Sequence, residues 1–203
     1  MTLSLDINSF ESFIDRWLEK AEAIQLSQDD LASYFDKFFT LFVVYNKLYM
    51  EATFKMWQDG RLKLPEPGKN NFPDTNAATR YLLKFLDPKI IIQNLTSTIN
   101  TNSAINNLMD ILENGSFYVL LKAPDMVGDR QADEILLKKM TSCDEKKKAE
   151  AILEFIHAIR CNTFHGSKSY SQDQIEVLAP CIKILEKLIP MLREELISNP
   201  THH

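Results

Sequence analysis

The stretch from about Gln28 to Asp59 constrains the fold more than any other part of the chain. Leu31, Phe35, Phe38, Leu41, Phe42, Tyr45, Leu48 and Tyr49 recur at the three- and four-residue steps of an α-helix, and Gly60 stands where that helix must stop. Ser27 with Asp30 gives it a capping-box-like start. Its apolar band is wide enough to need cover from several neighbours, so the segment predicts the central helix of an all-α bundle.

The flanking segments agree with that class. Ser9 is placed to cap a first amphipathic helix carrying Phe10, Phe13, Ile14, Trp17, Leu18, Ala21 and Ile24 on its apolar side. Pro65, Pro67, Gly68 and Pro73 break regularity over residues 61–73, a long loop for a compact domain. Asp74 restarts a helix through Leu86, and Asp87-Pro88 supplies a cap and a first-turn proline ahead of Ile90, Ile91, Ile92 and Leu95. A polar stretch, Thr96–Ser103, predicts an interruption before a short helix that ends at Asn114-Gly115. Phe117–Leu121 has strand-like composition, but a single short run cannot make a sheet and reads as an extended connection. Gly128-Asp129 opens a helix through Met140, Asp144 caps the next, and Ser171 with Gln174 caps the last. Pro180 and Pro190 each remove a hydrogen bond from that last helix and predict kinks. The expectation is four or five major helices with an irregular middle.

Composition narrows the function classes. At 203 residues, 45% hydrophobic and 25% charged, the chain can bury a full core as one domain. It holds five glycines and neither a GxGxxG nor a Walker-type sequence, which excludes a Gly-rich nucleotide cradle. Cys143, Cys161 and Cys181 are odd in number and lack metal-type spacing, so they read as reduced thiols in a cytoplasmic protein. With no apolar run of membrane length and no leader-like start, no membrane contact is expected. A net charge of −5 argues against nucleic-acid binding by the whole surface and leaves room for a local basic patch.

A second apolar-periodic run, Ala151, Ile152, Phe155, Ile156 and Ile159, leads into Arg160-Cys161-Asn162-Thr163-Phe164-His165-Gly166. Arg160 falls in the last turn of the predicted helix, and His165 at its end beside a glycine suited to a left-handed cap. Both residue types favour the negative end of a helix whatever the function. On a regular helix Arg160 and His165 lie about 140° apart, whereas Cys161 and Asn162 fall within the angular sector of His165. His157, Cys161 and His165 form a row that invites a zinc reading. Three residues spread over two turns cannot readily meet one ion, and no fourth ligand stands at suitable spacing, so neither a metal nor a cofactor is expected. Lys138, Lys139, Lys146, Lys147, Lys148 and Lys168 flank the run; such a run is by default a solvated helix face, and Lys146, Lys147, Lys148 and Lys168 are the candidates for a local basic patch that meets nucleic acid.

Arg160, four residues, then His165 and Gly166 resembles the motif of HEPN domains, many of which are metal-independent ribonucleases. Phe38–Tyr49, an aromatic run leading into Asn46-x-Leu48-Tyr49, is similar to that family's first core helix. The resemblance implies one HEPN-like helical domain over 1–203, with an insertion at about 61–142 that has no counterpart in the family. It also implies RNA cleavage by attack of the ribose 2′-OH on the adjacent phosphate, with His165 as general base and Arg160 binding the phosphate and its transition-state charge. Cys161 and Asn162 would be supporting residues. Cys161 stands where the family commonly has a polar residue, often asparagine, and a thiol is a poor hydrogen-bond partner. One imidazole cannot easily serve both the attacking and the leaving oxygen, so a homodimer facing two motifs into one cleft is expected. The resemblance further implies a defence or toxin system, with an antitoxin or other partner protein. The alternative is a non-catalytic HEPN-like module for RNA binding or dimerisation.

Overall fold

The computed structural model describes residues 7–63, 73–122, 125–164 and 173–198. Within them lie the helices α1 (Ile7–Ala23), α2 (Leu31–Gln58), α3 (Asp74–Asn76), α4 (Leu82–Phe85), α5 (Pro88–Thr96), α6 (Ile99–Asn114), α7 (Arg130–Met140), α8 (Glu145–Phe164) and α9 (Gln174–Ser198). A π-helical turn, Ala77–Tyr81, joins α3 to α4. The expected all-α bundle is therefore present, and five of its helices (α1, α2, α6, α8 and α9) run for sixteen residues or more. The middle of the chain is a run of shorter helical pieces and one hairpin.

Helix starts follow local side-chain chemistry. Asp87 accepts from the Lys89 amide at 2.9 Å, Asp129 from the Ala132 amide at 3.1 Å, and Asp144 from the Lys146 and Lys147 amides at 3.0 and 3.2 Å. Each satisfies an amide that the first helical turn leaves unpaired. Gly115, at φ 64°, takes the left-handed position that closes α6, and its amide donates to the Ile111 carbonyl at 3.1 Å. Two boundaries differ from expectation. Asp30 itself caps α2, accepting from the Ala32 amide at 3.1 Å, and Ser27 lies in the preceding turn, where its carbonyl accepts from the Asp30 amide. Along the polar stretch Thr96–Ser103 the helix is interrupted only at Ser97-Thr98: Thr98 caps α6 through the Thr101 amide, and Thr96, Asn100, Thr101, Asn102 and Ser103 are helical. Pro180 and Pro190 both lie inside a continuous α9, and Ser171, the expected cap of that helix, is outside the described residues.

Phe117–Leu121 ends in a minimal hairpin rather than a bare connection. β1 (Leu121–Lys122) pairs antiparallel with β2 (Val127–Gly128). The Tyr118 ring lies so close over Gly128 that any Cβ there would overlap it. Two buried polar side chains hold this connection against the bundle. Asp133 of α7 accepts from the Val119 and Leu120 amides at 3.0 and 2.8 Å, and Asn162 of α8 donates to the Val119 carbonyl at 2.6 Å.

The core is contiguous from Phe10 on α1 to Leu196 on α9. α2 packs chiefly on α9 and α1, α6 on α9, and α8 on α7, α5 and the π-helical turn. The middle of α8 is closely enclosed: Ala151, Ile152, Leu153, Phe155, Ile156, His157, Ala158 and Ile159 are all buried, whereas α2 keeps a partly open side at Asp36, Val43, Lys47 and Phe54. Cover on every side explains why α8 shows little one-sided patterning. We expect Asp133→Ala to destabilise the protein by about 2–4 kcal/mol, since it strands two inward-facing amides, and Asp133→Asn by less, since one acceptor remains. Urea unfolding monitored by circular dichroism measures both.

Candidate functional site

The site begins with a row of aromatic rings on α2. Phe38 and Phe42 lie 6.0 Å apart between centroids, Phe42 and Tyr45 5.6 Å, and Tyr45 and Tyr49 5.2 Å. All four are buried, as expected for core residues rather than stacking platforms. The two tyrosines carry hydroxyls into that interior, and each finds an acceptor. Tyr45 donates to the Ala78 carbonyl in the π-helical turn at 2.6 Å, and Tyr49 to Asp74 Oδ1 at 2.5 Å. Burial, with the Asp74 carboxylate beside them, drives both phenols far above their ordinary range, so they remain donors.

Asp74 collects the other half of the site from α8. Its Oδ2 lies 3.4 Å from His157 Nε2 and 3.9 Å from Arg160 Nη1. On the far side of the imidazole, Nδ1 lies 3.7 Å from Cys161 Sγ, and Arg160 Nη1 approaches the same sulfur at 3.9 Å. The Arg160 guanidinium also rests over the Phe42 ring, 5.6 Å from its centroid, which favours a cation there. Cys161, His157 and Asp74 thus form a continuous thiol–imidazole–carboxylate row, with Arg160 flanking both ends. The helical step explains half of it, because positions 157 and 161 are one turn apart on α8. The other half needs the packing of the π-helical turn against α8.

Exposure falls inward along the row. The side chain of Asp74 is 40% exposed and that of Arg160 27%, against 7% for His157. Burial would lower the His157 imidazole, but its contacts with Cys161 and Asp74 outweigh burial and hold it above the ordinary histidine value. Burial would raise the Cys161 thiol, yet the hydrogen bond and charge of His157, aided by Arg160, bring it below the ordinary thiol value. Each charged form thus favours the other.

The candidate residues read from the sequence fall in different places. Arg160 is in the site, and Cys161 beside it faces His157. Asn162 points elsewhere, its amide engaged with Val119. Lys146, Lys147 and Lys148 lie in the first turn of α8, about 20 Å along the axis from Arg160. Lys147 there approaches Asp144 at 3.8 Å. His165 and Lys168 lie outside the described residues. Nothing in the sequence marks Asp74, Tyr49 and His157 as members of this site: Asp74 looks like a helix start, Tyr49 like core, and His157 only like one end of a zinc row. Among the described residues no group of His, Cys, Asp and Glu is placed to hold a metal ion.

No family model, curated protein or solved structure matches the chain.

The couplings give a pH signature. His157, raised in the folded state, contributes stability that is complete below the ordinary histidine value and is lost as pH rises through its folded value. Cys161, lowered in the folded state, contributes stability that is complete above the ordinary thiol value and is lost as pH falls through its folded value. Removing the carboxylate charge in Asp74→Asn takes away one cause of the His157 shift. We therefore expect the His157 ring resonances to titrate at lower pH in Asp74→Asn than in the wild type, as followed by NMR.

Proposed function

We propose that the protein is a metal-independent endoribonuclease of the HEPN kind, cleaving RNA through the ribose 2′-OH with Arg160 as the phosphate-binding cation and His165 as the general base. The observation that carries this reading is the setting of Arg160. Its guanidinium follows the enclosed middle of α8, supported by the Phe42 ring and about a quarter exposed, five residues before His165. A planar fork held this way can meet two phosphate oxygens and stabilise the charge that grows on them during attack. The two segments that carry the HEPN resemblance, α2 and the end of α8, meet at this point through Phe42, Arg160 and His157.

Two proton transfers per cleavage require a second acid–base group, and a homodimer supplies it as the partner's copy of His165. Toxin or defence use, with an antitoxin or another protein to restrain it, fits an RNA-cleaving activity. No described helix is long and apolar enough to cross a membrane.

One observation favours the non-catalytic alternative, an RNA-binding or dimerisation module. Arg160 already faces Asp74 at 3.9 Å, so a phosphate must compete with a carboxylate for the same cation. The two readings separate in one experiment. Total RNA is incubated with the protein in excess EDTA, while binding of a fluorescent RNA is followed by anisotropy. The enzyme reading expects cleavage that survives EDTA, disappears in His165→Ala with RNA binding kept, and falls by about 100-fold or more in Arg160→Ala. RNA binding without cleavage would establish the module, and cleavage that returns only with added Mg²⁺ or Zn²⁺ would overturn the mechanism. Light scattering at micromolar concentration should give a dimer.

A further inference from the structure

The three cysteines occupy three different settings. Cys181 is fully enclosed in α9, and burial alone pushes its thiol up. Cys143 is exposed at the turn between α7 and α8. Cys161 is half-buried, 3.7 Å from an imidazole that is itself oriented by a carboxylate 3.4 Å away, and 3.9 Å from a guanidinium. A nucleophile in reach of a base, with the base positioned by a third group, is the arrangement that activates a side chain for covalent chemistry. Partial exposure among cations is likewise the setting of cysteines that react, as opposed to those that only pack. The proposed RNA cleavage assigns no bond-making or proton-transfer step to Cys161, His157 or Asp74.

We propose that Cys161 is an oxidation-sensitive modification site that takes hydroperoxides as its substrate class, and that its oxidation disables the neighbouring Arg160. The Cys161 thiolate attacks the terminal oxygen of R–O–O–H. A sulfur–oxygen bond forms and the oxygen–oxygen bond breaks, sulfur giving up two electrons to the peroxide. The departing alkoxide takes the proton held at His157 Nδ1 and leaves as the alcohol, or as water when the oxidant is hydrogen peroxide. The product is a sulfenic acid with a neutral imidazole beside it, and a dithiol reverses it by becoming a disulfide and releasing water. Asp74 holds His157 from the opposite nitrogen throughout, with Tyr49 donating to the other carboxylate oxygen. The new oxygen sits on the sulfur that Arg160 Nη1 already approaches, where it accepts from the guanidinium and occupies donors that a phosphate would need.

Thiol reactivity depends on this row alone, whereas the effect on RNA rests on the ribonuclease reading, and the two are measured separately. The full chain is treated at pH 7 with hydrogen peroxide and a sulfenic-acid trap, and labelling is read by peptide mass spectrometry with Cys143 as the internal reference. We expect Cys161 to be labelled about tenfold faster than the more exposed Cys143. His157→Gln should remove most of that advantage, with circular dichroism checking the fold. In the wild type, the pH midpoint for alkylation of Cys161 should lie below that for Cys143, a readout that needs no variant. Equal labelling rates, or a Cys161 midpoint no lower than that of Cys143, would overturn the site. If RNA is cleaved, peroxide should inhibit cleavage and dithiothreitol restore it, while Cys161→Ser, whatever its basal rate, is not inhibited. Rapid labelling with undiminished cleavage would overturn the link to Arg160 and leave the site standing. Absence of cleavage in every sample bears on the ribonuclease reading alone, because the labelling rates still decide the site.

Discussion

Everything distinctive about this bundle converges on the carboxylate of Asp74. One oxygen accepts from Tyr49 on α2, and the other faces His157 and Arg160 on α8. Three segments far apart in the chain are thereby joined through a single side chain. The arrangement is asymmetric in energy. Such a cluster adds little net stability compared with an apolar core, but removing its central charge leaves a buried phenol and a buried imidazole without their acceptor. The π-helical turn that follows Asp74 belongs to the same device, since Tyr45 donates to its Ala78 carbonyl while Arg80 pairs with Glu150 of α8 at 3.1 Å. A local departure from α-helical winding at such a junction is a common companion of functional sites.

The enclosure of α8 sets what this junction presents to solvent. Residues 151 to 159 are covered on nearly every side, so the chain first offers a partly open cation at Arg160. The lysines at the start of α8 stand about 20 Å away, well beyond a screening length of about 8 Å at physiological salt, and add little field at that cation. With a net charge of −5, the ribonuclease reading requires directed donors at the phosphate rather than a broad positive surface. The Arg160 donors are shared with Asp74 and with the Cys161 sulfur, so an anion meeting that guanidinium would compete with both.

Much of the architecture was legible in the sequence because helix boundaries are written in short-range chemistry. Asp87, Asp129 and Asp144 each accept from an amide two or three residues ahead, and Gly115 adopts the backbone angle that side chains resist. The aromatic period of α2 requires a buried helix, and the buried Phe38, Phe42, Tyr45 and Tyr49 meet that requirement. Where expectation and structure part, at Ser27 and along Thr96–Ser103, the side chains of Asp30 and Thr98 supply the caps.

The candidate site was legible only in part. Arg160 and Cys161 stand out in the sequence as neighbours of a motif, and His157 falls one turn earlier by helical spacing alone. Asp74 does not announce itself, since an aspartate after a proline-rich stretch looks like an ordinary helix start. Its contact with His157 spans 83 positions, and that of Asn162 with Val119 spans 43. No periodicity encodes such pairings; they exist because the turn after Asp74 packs on α8 and because Asp133 and Asn162 clamp the hairpin connection. The sequence by itself determined the helices, their caps and the apolar faces that had to meet. Only the tertiary structure decided which polar groups would be carried inward with those faces, because an enclosed hydroxyl, imidazole or guanidinium must find its partner wherever packing has placed one.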